Sequence, residues 1–329
     1  MTDFASGLAP SDEYILPKPE DIPNFNETYC FFGYDGEADM GFFIHIQARP
    51  FPWRFNYLVF LPGGQKFLKT VQFSDDRVER RPGGAKFHAE CLELFRRWRT
   101  YVDLDCSRQT MDDMLAQREV APASTPVTMD IVCDAVAPLW CIGADDGTTP
   151  EQHAQRGFRV HHQQLMHGVG MFRIDGQAFR FDGPVWRDHS RGPRTLTEWG
   201  AHDLNSAWFP KQRRGMGLLR QFDLGGNETF CAAYVVEDDR ILEAEVVECT
   251  PMVDERDPHP KVTVALRTVD GRTHRMDGVL RSQMLSGIGR GSWLSEGQAE
   301  WTLNGEVSHG ICERSLRGGP SIADPAIEP

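Results

Sequence analysis

Five ionisable side chains crowd residues 187–194: Arg187, Asp188, His189, Arg191 and Arg194, with Gly192 and Pro193 among them. They follow a segment that alternates like a β-strand, Met171 to Ile174 and then Gln177 to Phe181. A carboxyl group beside an imidazole can hold and pass a proton, provided both reach the same space. Strict alternation puts Asp188 and His189 on opposite faces, but Pro184 and the nearby glycines permit a bulge that re-aims one of them. The same residue types also suit a salt-bridged corner, with Asp188 held by Arg187, Arg191 or Arg194. A second carboxyl candidate is Glu313. If 306–313 is a strand, Val307, His309, Ile311 and Glu313 share a face and the carboxylate has apolar neighbours. Its competing use is an ion pair with the Arg96-Arg97-Trp98-Arg99 segment or with Arg314.

Other chemistries fit less well. His161, His162 and His167 sit on one segment, but adjacent strand residues face opposite ways, so no metal site is expected. There is no Gly-x-Ser-x-Gly elbow of the α/β-hydrolase kind. The glycines of 287–291 lack the following helix that a phosphate loop needs. The eight cysteines form no CxxC pair, which fits free thiols in a reducing cytoplasm better than a zinc ribbon. A net charge of −13 without basic blocks argues against a nucleic-acid partner. No apolar run approaches ~20 residues, so no membrane span is expected. The acidic, proline-rich start lacks the pattern of a secretory signal, and residues 1–24 are expected to form an arm laid on the surface.

The elements that must position these groups are strands. Phe42, Ile44 and Ile46 line one face of a segment; Leu58 with Phe60, and Val127 through Cys133, do the same. In the second half the alternating sets are Phe230 to Val236, Leu242 to Val246 and Val262 to Leu266. Turn residues separate them at 62–64, 82–84 and 225–227, with a hairpin at Asp270-Gly271. Short helices are expected only at 107–118 and 150–156. Residues 170–190 and 297–315 echo one another, each running strand, Asp/Asn-Gly turn, strand, then an acidic residue near a basic one. That duplication predicts two β-rich halves, barrels or sandwiches. An eight-stranded barrel can enclose one small ligand, so an apolar pocket within or between the halves is expected.

The segment RDHSRGPR at 187–194 resembles the signature that closes the first barrel in the carotenoid hydratase (hydroxyneurosporene synthase)-like and AttH-like group. CLELFRRWRTYVD at 91–103 and GEVSHGICERS at 305–315 also resemble that group. The resemblance implies an all-β chain of two tandem lipocalin-like antiparallel barrels, calycin-like, with few short helices. Its expected division is an arm at 1–24, a first barrel at 25–190, a linker at 191–205, a second barrel at 206–318 and a tail at 319–329. It implies cofactor-independent lyase or isomerase chemistry of the hydratase kind on a hydrophobic terpenoid, steroid or polyketide-like molecule in a cytoplasmic protein. The alternatives are a carrier of a hydrophobic ligand and a pericyclic cyclase that works by folding its substrate. A homodimer is left open. The signature usually has tryptophan where this chain has Arg191, which implies a more polar or anionic substrate.

Hydration of an isolated C=C bond needs a protonated acid aimed at one carbon. A carboxyl group remains protonated near neutrality where an apolar pocket penalises its charge. Asp188 is the first candidate acid, with His189 beside it and Glu313 as a second catalytic carboxyl. Arg191, Arg194, Trp186, Trp208 and Tyr234 are candidates for contacting the substrate, and Trp199 and Trp301 are further candidate pocket walls. Each of these aromatic residues could equally serve as core packing.

Overall fold

The computed structural model describes residues 3–16, 23–48, 53–74, 79–116, 118, 120–142, 152, 154, 156–195, 197–250, 261–286 and 292–317. The glycine loop at 287–291, the tail at 319–329, residues 17–22 of the arm and alternate residues of the 150–156 segment lie outside them.

The first sheet contains β1 (Phe25–Asp35), β2 (Met40–Ala48), β3 (Trp53–Leu61), β4 (Gln65–Phe73), β5 (Gly83–Gly84), β6 (Phe87–Glu93), β7 (Arg97–Gln109), β8 (Thr125–Ala135), β9 (Trp140–Ile142), β10 (Val160–Ile174) and β11 (Gln177–Pro193). Its order is β4-β3-β2-β1-β11-β10-β8-β7-β6-β5, with β9 on β10. Pairing of β4 with β7 through Phe67 and Arg108 closes it into a ring. The second sheet is a closed barrel of β12 (Trp199–Phe209), β13 (Arg214–Asp223), β14 (Glu228–Glu237), β15 (Arg240–Cys249), β16 (Lys261–Thr268), β17 (Thr273–Ser286), β18 (Ser292–Leu303) and β19 (Glu306–Arg317). All of the strand pairings are antiparallel.

The echoed segments are matching hairpins, β10–β11 and β18–β19. Asp175 and Gly176 turn the first at φ 49° and 81°, and Asn304 and Gly305 turn the second at φ 49° and 82°. Two successive positive φ values match the twist of the flanking strands, and Asp-Gly and Asn-Gly tolerate them best.

Two expectations need correction. The 107–118 segment is not one helix: β7 runs to Gln109, because Ser107 and Arg108 pair with β4 to close the ring. Only α1 (Met111–Leu115) is helical there, with Thr110 and Asp113 capping each other. Most of 191–205 is strand, since β11 continues to Pro193 and β12 opens at Trp199. Its polar composition belongs to strands that carry a buried polar seam. Cys231 faces solvent while its neighbour Ala232 packs inward.

Alternation sorts the apolar residues into three layers. Phe42, Ile44, Ile46, Val127, Met129, Ile131 and Cys133 fill the first barrel. Val262, Val264, Leu266 and Trp301 fill the second. Leu58, Phe60, Trp186, Trp208, Tyr234 and Val236 form a third layer between the barrels.

Trp301 is a core residue, not a pocket wall. It lies over Gly278 on the paired strand, where an added Cβ would come within 2.5 Å of the indole. Trp301→Ala is expected to cost about 3–5 kcal/mol, as removal of a large buried aromatic usually does. The check is a lowered urea midpoint at unchanged m-value.

Candidate active site

β11 pairs with β1 and β10 in unbroken register, so no bulge disturbs its alternation. Trp186, Asp188 and Ser190 therefore face the second barrel, while Arg187, His189 and Arg191 face the first. Asp188 and His189 are neighbours in sequence that do not share a site, contrary to the bulged arrangement considered above.

On the first-barrel side, the signature meets the N-terminal arm, β1, β7 and β10. Arg187 is 1% exposed, and its guanidinium lies 4.3 Å from the Trp98 ring centroid. It donates to both carboxylate oxygens of Glu13 and to Gln164 Oε1. Glu13 is itself 1% exposed, so the arm inserts this carboxylate while residues 3–12 stay exposed or half-buried. His189 Nε2 lies 2.9 Å from Glu27 Oε1 and its ring stacks on Tyr29 at 4.0 Å. Arg191 donates to Asp12 at 2.7 Å. This is the salt-bridged corner of the sequence analysis, with the arm's carboxylates in the place expected for Asp188. Arg191 consequently does not face Asp188, and the expectation that it makes that pocket more polar loses its geometric basis.

On the opposite face, Asp188 is 5% exposed and its carboxyl contacts His161 Nε2 from β10. Burial drives the Asp188 carboxyl well above the usual carboxylate range; nearby Glu313 adds to this, while Arg194 and Arg187 oppose it. Burial holds the His161 imidazole well below its ordinary value, and the positive surroundings of His162 and Arg194 add to that. Both directions favour a neutral pair in which a carboxylic acid donates to an imidazole nitrogen. His161 Nδ1 is buried without a hydrogen-bond partner. Arg194 borders the pair, donating to Gly157 O, Ser190 Oγ and Thr28 Oγ1.

The second barrel presents its own polar group. β19 packs against β11 and β1, and β18 packs against β1. Glu313 Oε1 lies 2.7 Å from His202 Nε2, and Ser315 Oγ shares a hydrogen bond of 2.5 Å with His202 Nδ1. Glu296 stands opposite Glu313 in the β18–β19 register. Burial, then the charge of Glu313, drives the Glu296 carboxyl well above its usual range. The arginines weighed as partners for Glu313 are engaged elsewhere: Arg97 with Asp134, Arg99 with Asp130, and Arg314 with Asp203.

Trp186 and Trp208 line a crevice between the barrels, together with Phe32, Leu165 and Ser206; Asp188, two residues on from Trp186 along β11, is not among its lining residues. The crevice has room for roughly one water. Tyr234 packs on Trp140 at 4.4 Å and shares a hydrogen bond with Ser206, and Trp199 packs near His202. His167 pairs with Asp182 on the outside. Among the described residues no cluster of His, Cys, Asp and Glu has the arrangement of a metal site.

Sequence reasoning missed His161 as the partner of Asp188, because cross-strand register brings them together. It also missed Glu13, His202, Ser315 and Glu296. The alternation His202-x-Leu204-x-Ser206-x-Trp208 was an available signal for one wall of the seam.

The buried histidines predict acid sensitivity. His161, His162 and His189 are all held well below their ordinary value, chiefly by burial. Their contribution to stability is present above about pH 6.5 and is lost as pH falls, because the unfolded chain takes up protons that the folded chain refuses. Asp188 and Glu296 oppose this by retaining protons when folded. His88, His274 and His309 shift the same way and Asp203 the opposite way, so lowered histidines outnumber raised carboxyls and stability declines as pH falls from about 6.5 towards about 4.5. Urea midpoints measured at pH 7, 6 and 5 should decline steadily; a flat profile would show these imidazoles to be protonated in the fold.

A family model described as a domain of unknown function, DUF7064, matches residues 9–316. No curated protein matches the sequence. Among solved structures, an AttH-like protein from Nitrosomonas europaea superposes with a TM-score of 0.58 at 12% identity, covering 97% of this chain and 99% of that one. Kievitone hydratase from Nectria haematococca gives 0.56 at 12% identity, covering 96% and 97%. CghA with Sch210972 gives 0.52 at 12% identity, covering 97% and 98%. At that identity the likeness establishes the fold: the tandem lipocalin-like architecture of the carotenoid hydratase and AttH-like group.

Proposed function

The chain belongs to the DUF7064 family, and we propose that it is a cofactor-independent enzyme of the hydratase or isomerase kind, acting on a C=C bond or ring of a hydrophobic terpenoid, steroid or polyketide-like molecule. The observation that carries this reading is a buried, proton-retaining Asp188 on the face of β11 that meets the second barrel, beside aromatic walls. A likeness in fold to a hydratase supports it.

In this mechanism the Asp188 O–H is delivered to one alkene carbon, leaving a cation on the other. His161 holds the acid in place beforehand. The faces of Trp186, Phe32 and Trp208 stabilise the cation through their ring quadrupoles. Arg194 and Arg187 limit the cost of the Asp188 carboxylate that remains. Water then captures the cation. Because the crevice holds so little, substrate binding has to part the Trp186 and Trp208 walls, which also keeps bulk water from the cation.

The test is incubation with prenylated phenols, farnesol and polyene probes in D2O, followed by mass spectrometry. The expected product carries one added water and one non-exchangeable deuterium on carbon. A ligand bound tightly and recovered unchanged would favour the carrier reading. An isomeric cyclic product without deuterium would favour cyclisation by substrate folding.

A further inference from the structure

The seam holds a second acid–base group that the protonation step leaves unused. Glu313, on β19, reaches Asp188 closely enough for its charge to help keep that carboxyl protonated. Its own carboxylate is anchored by His202, which is held from behind: the His202 backbone N–H donates to Ser315 Oγ at 3.2 Å and Nδ1 lies 2.5 Å from the same hydroxyl, leaving Nε2 to face Glu313 at 2.7 Å. Glu296 stands opposite Glu313 in the β18–β19 register, and β19 packs against β11 and β1, the strands that carry Asp188 and its cross-strand partner Cys30.

We propose that Glu313 is the water-activating base of the site, set against Asp188 as its acid, and that His202 with Ser315 is the positioning pair that keeps Glu313 ready to accept a proton. This rests on the hydratase reading above. The proton count closes. The Asp188 O–H bond breaks as a C–H bond forms; the water oxygen bonds to the cationic carbon as its O–H breaks and the proton passes to Glu313. Glu313 then returns that proton to the Asp188 carboxylate, so the net change is addition of one water. Glu296, protonated beside it, keeps a second negative charge away from Glu313. The charged and titratable groups placed around this pair are Asp188, with Arg194 bordering it, on the first barrel and His202, Glu296 and Arg314 on the second.

Two measurements on the full chain test this. The first uses a prenylated phenol probe in D2O. Glu313→Gln should lower hydration about 10²–10⁴-fold, the usual effect of losing a general base. It should still wash deuterium into recovered probe, because Asp188 protonates the alkene and the cation loses a different proton. Asp188→Asn should lose both. Hydration that survives in Glu313→Gln, or deuterium wash-in lost along with it, would overturn the role of Glu313. Wash-in that survives in Asp188→Asn would instead overturn the hydratase reading. The second needs no turnover. Carboxyl-¹³C spectra at neutral pH should show acid-form Asp188 and Glu296. The Glu313 carboxyl resonance should move in His202→Phe and return towards its wild-type position in His202→Gln, which keeps an N–H donor. A Glu313 resonance identical in His202→Phe and wild type would overturn the pairing.

Discussion

Asp188→Asn is expected to lower kcat by about 10³-fold or more while leaving the protein more resistant to unfolding than wild type at pH 8. The loss follows from removing the only atom from which the proposed mechanism delivers a proton, and general acid catalysis typically accounts for about 10²–10⁴-fold. The gain in stability follows from the same burial. A carboxyl group whose folded value is raised keeps its proton in the native state and loses it in the unfolded chain. Its contribution is fully present below about pH 4 and is lost as pH rises through the raised folded value, at about 1.4 kcal/mol per pH unit. Asparagine keeps an acceptor and a donor near His161 Nε2 and carries no proton to lose. Urea unfolding of both proteins at pH 6 and pH 8 checks this: the difference in favour of the variant should widen with pH. A variant equally destabilised at both values would mean that the Asp188–His161 contact serves as an ion pair, and active turnover would remove Asp188 from the chemistry.

Glu13→Ala should be the most damaging change on the other face of the same strand, costing about 3–5 kcal/mol. Deleting one partner of a buried ion pair leaves the other charge without compensation. Here that charge is Arg187, 1% exposed and held against Trp98 inside the first barrel. Replacing both partners with apolar residues, Glu13→Leu with Arg187→Met, should recover most of the loss, since neither charge is then stranded. Truncation of residues 1–16 should match Glu13→Ala within about 1 kcal/mol if the arm acts mainly through this carboxylate. Chemical denaturation of the four proteins reads all of these differences. A cost under about 1 kcal/mol for Glu13→Ala would show that water reaches Arg187 in place of the arm.

Much of the scaffold was legible in the sequence for specific reasons. Faces such as Val127 to Cys133 follow from a period of two, and the Asp175-Gly176 and Asn304-Gly305 turns follow from the backbone that only such pairs adopt readily. Alternation alone also placed Asp188 and His189 on opposite faces, and the structure keeps that simpler arrangement. The site was less legible because its partners come from register and from docking of the barrels. Asp188 meets His161 across a strand pair 27 residues away in sequence, and Glu313 meets His202 across 111. Neither spacing follows from local pattern. Composition misled at the boundary, where the polar residues of 191–205 were read as a linker although most lie in β11 and β12, and nothing in the arm's composition pointed to Glu13, whose arginine lies 174 residues on.

Because β11 is a wall common to two compartments, consecutive codons in this stretch answer to different demands. Substitutions at 187, 189 and 191 should register in yield and heat tolerance, and those at 186, 188 and 190 in product formation. A deep mutational scan that records abundance and conversion separately would then show the two phenotypes trading places at every step along six residues. Improving one property by mutation could leave the other untouched, although the positions are nearest neighbours on the chain.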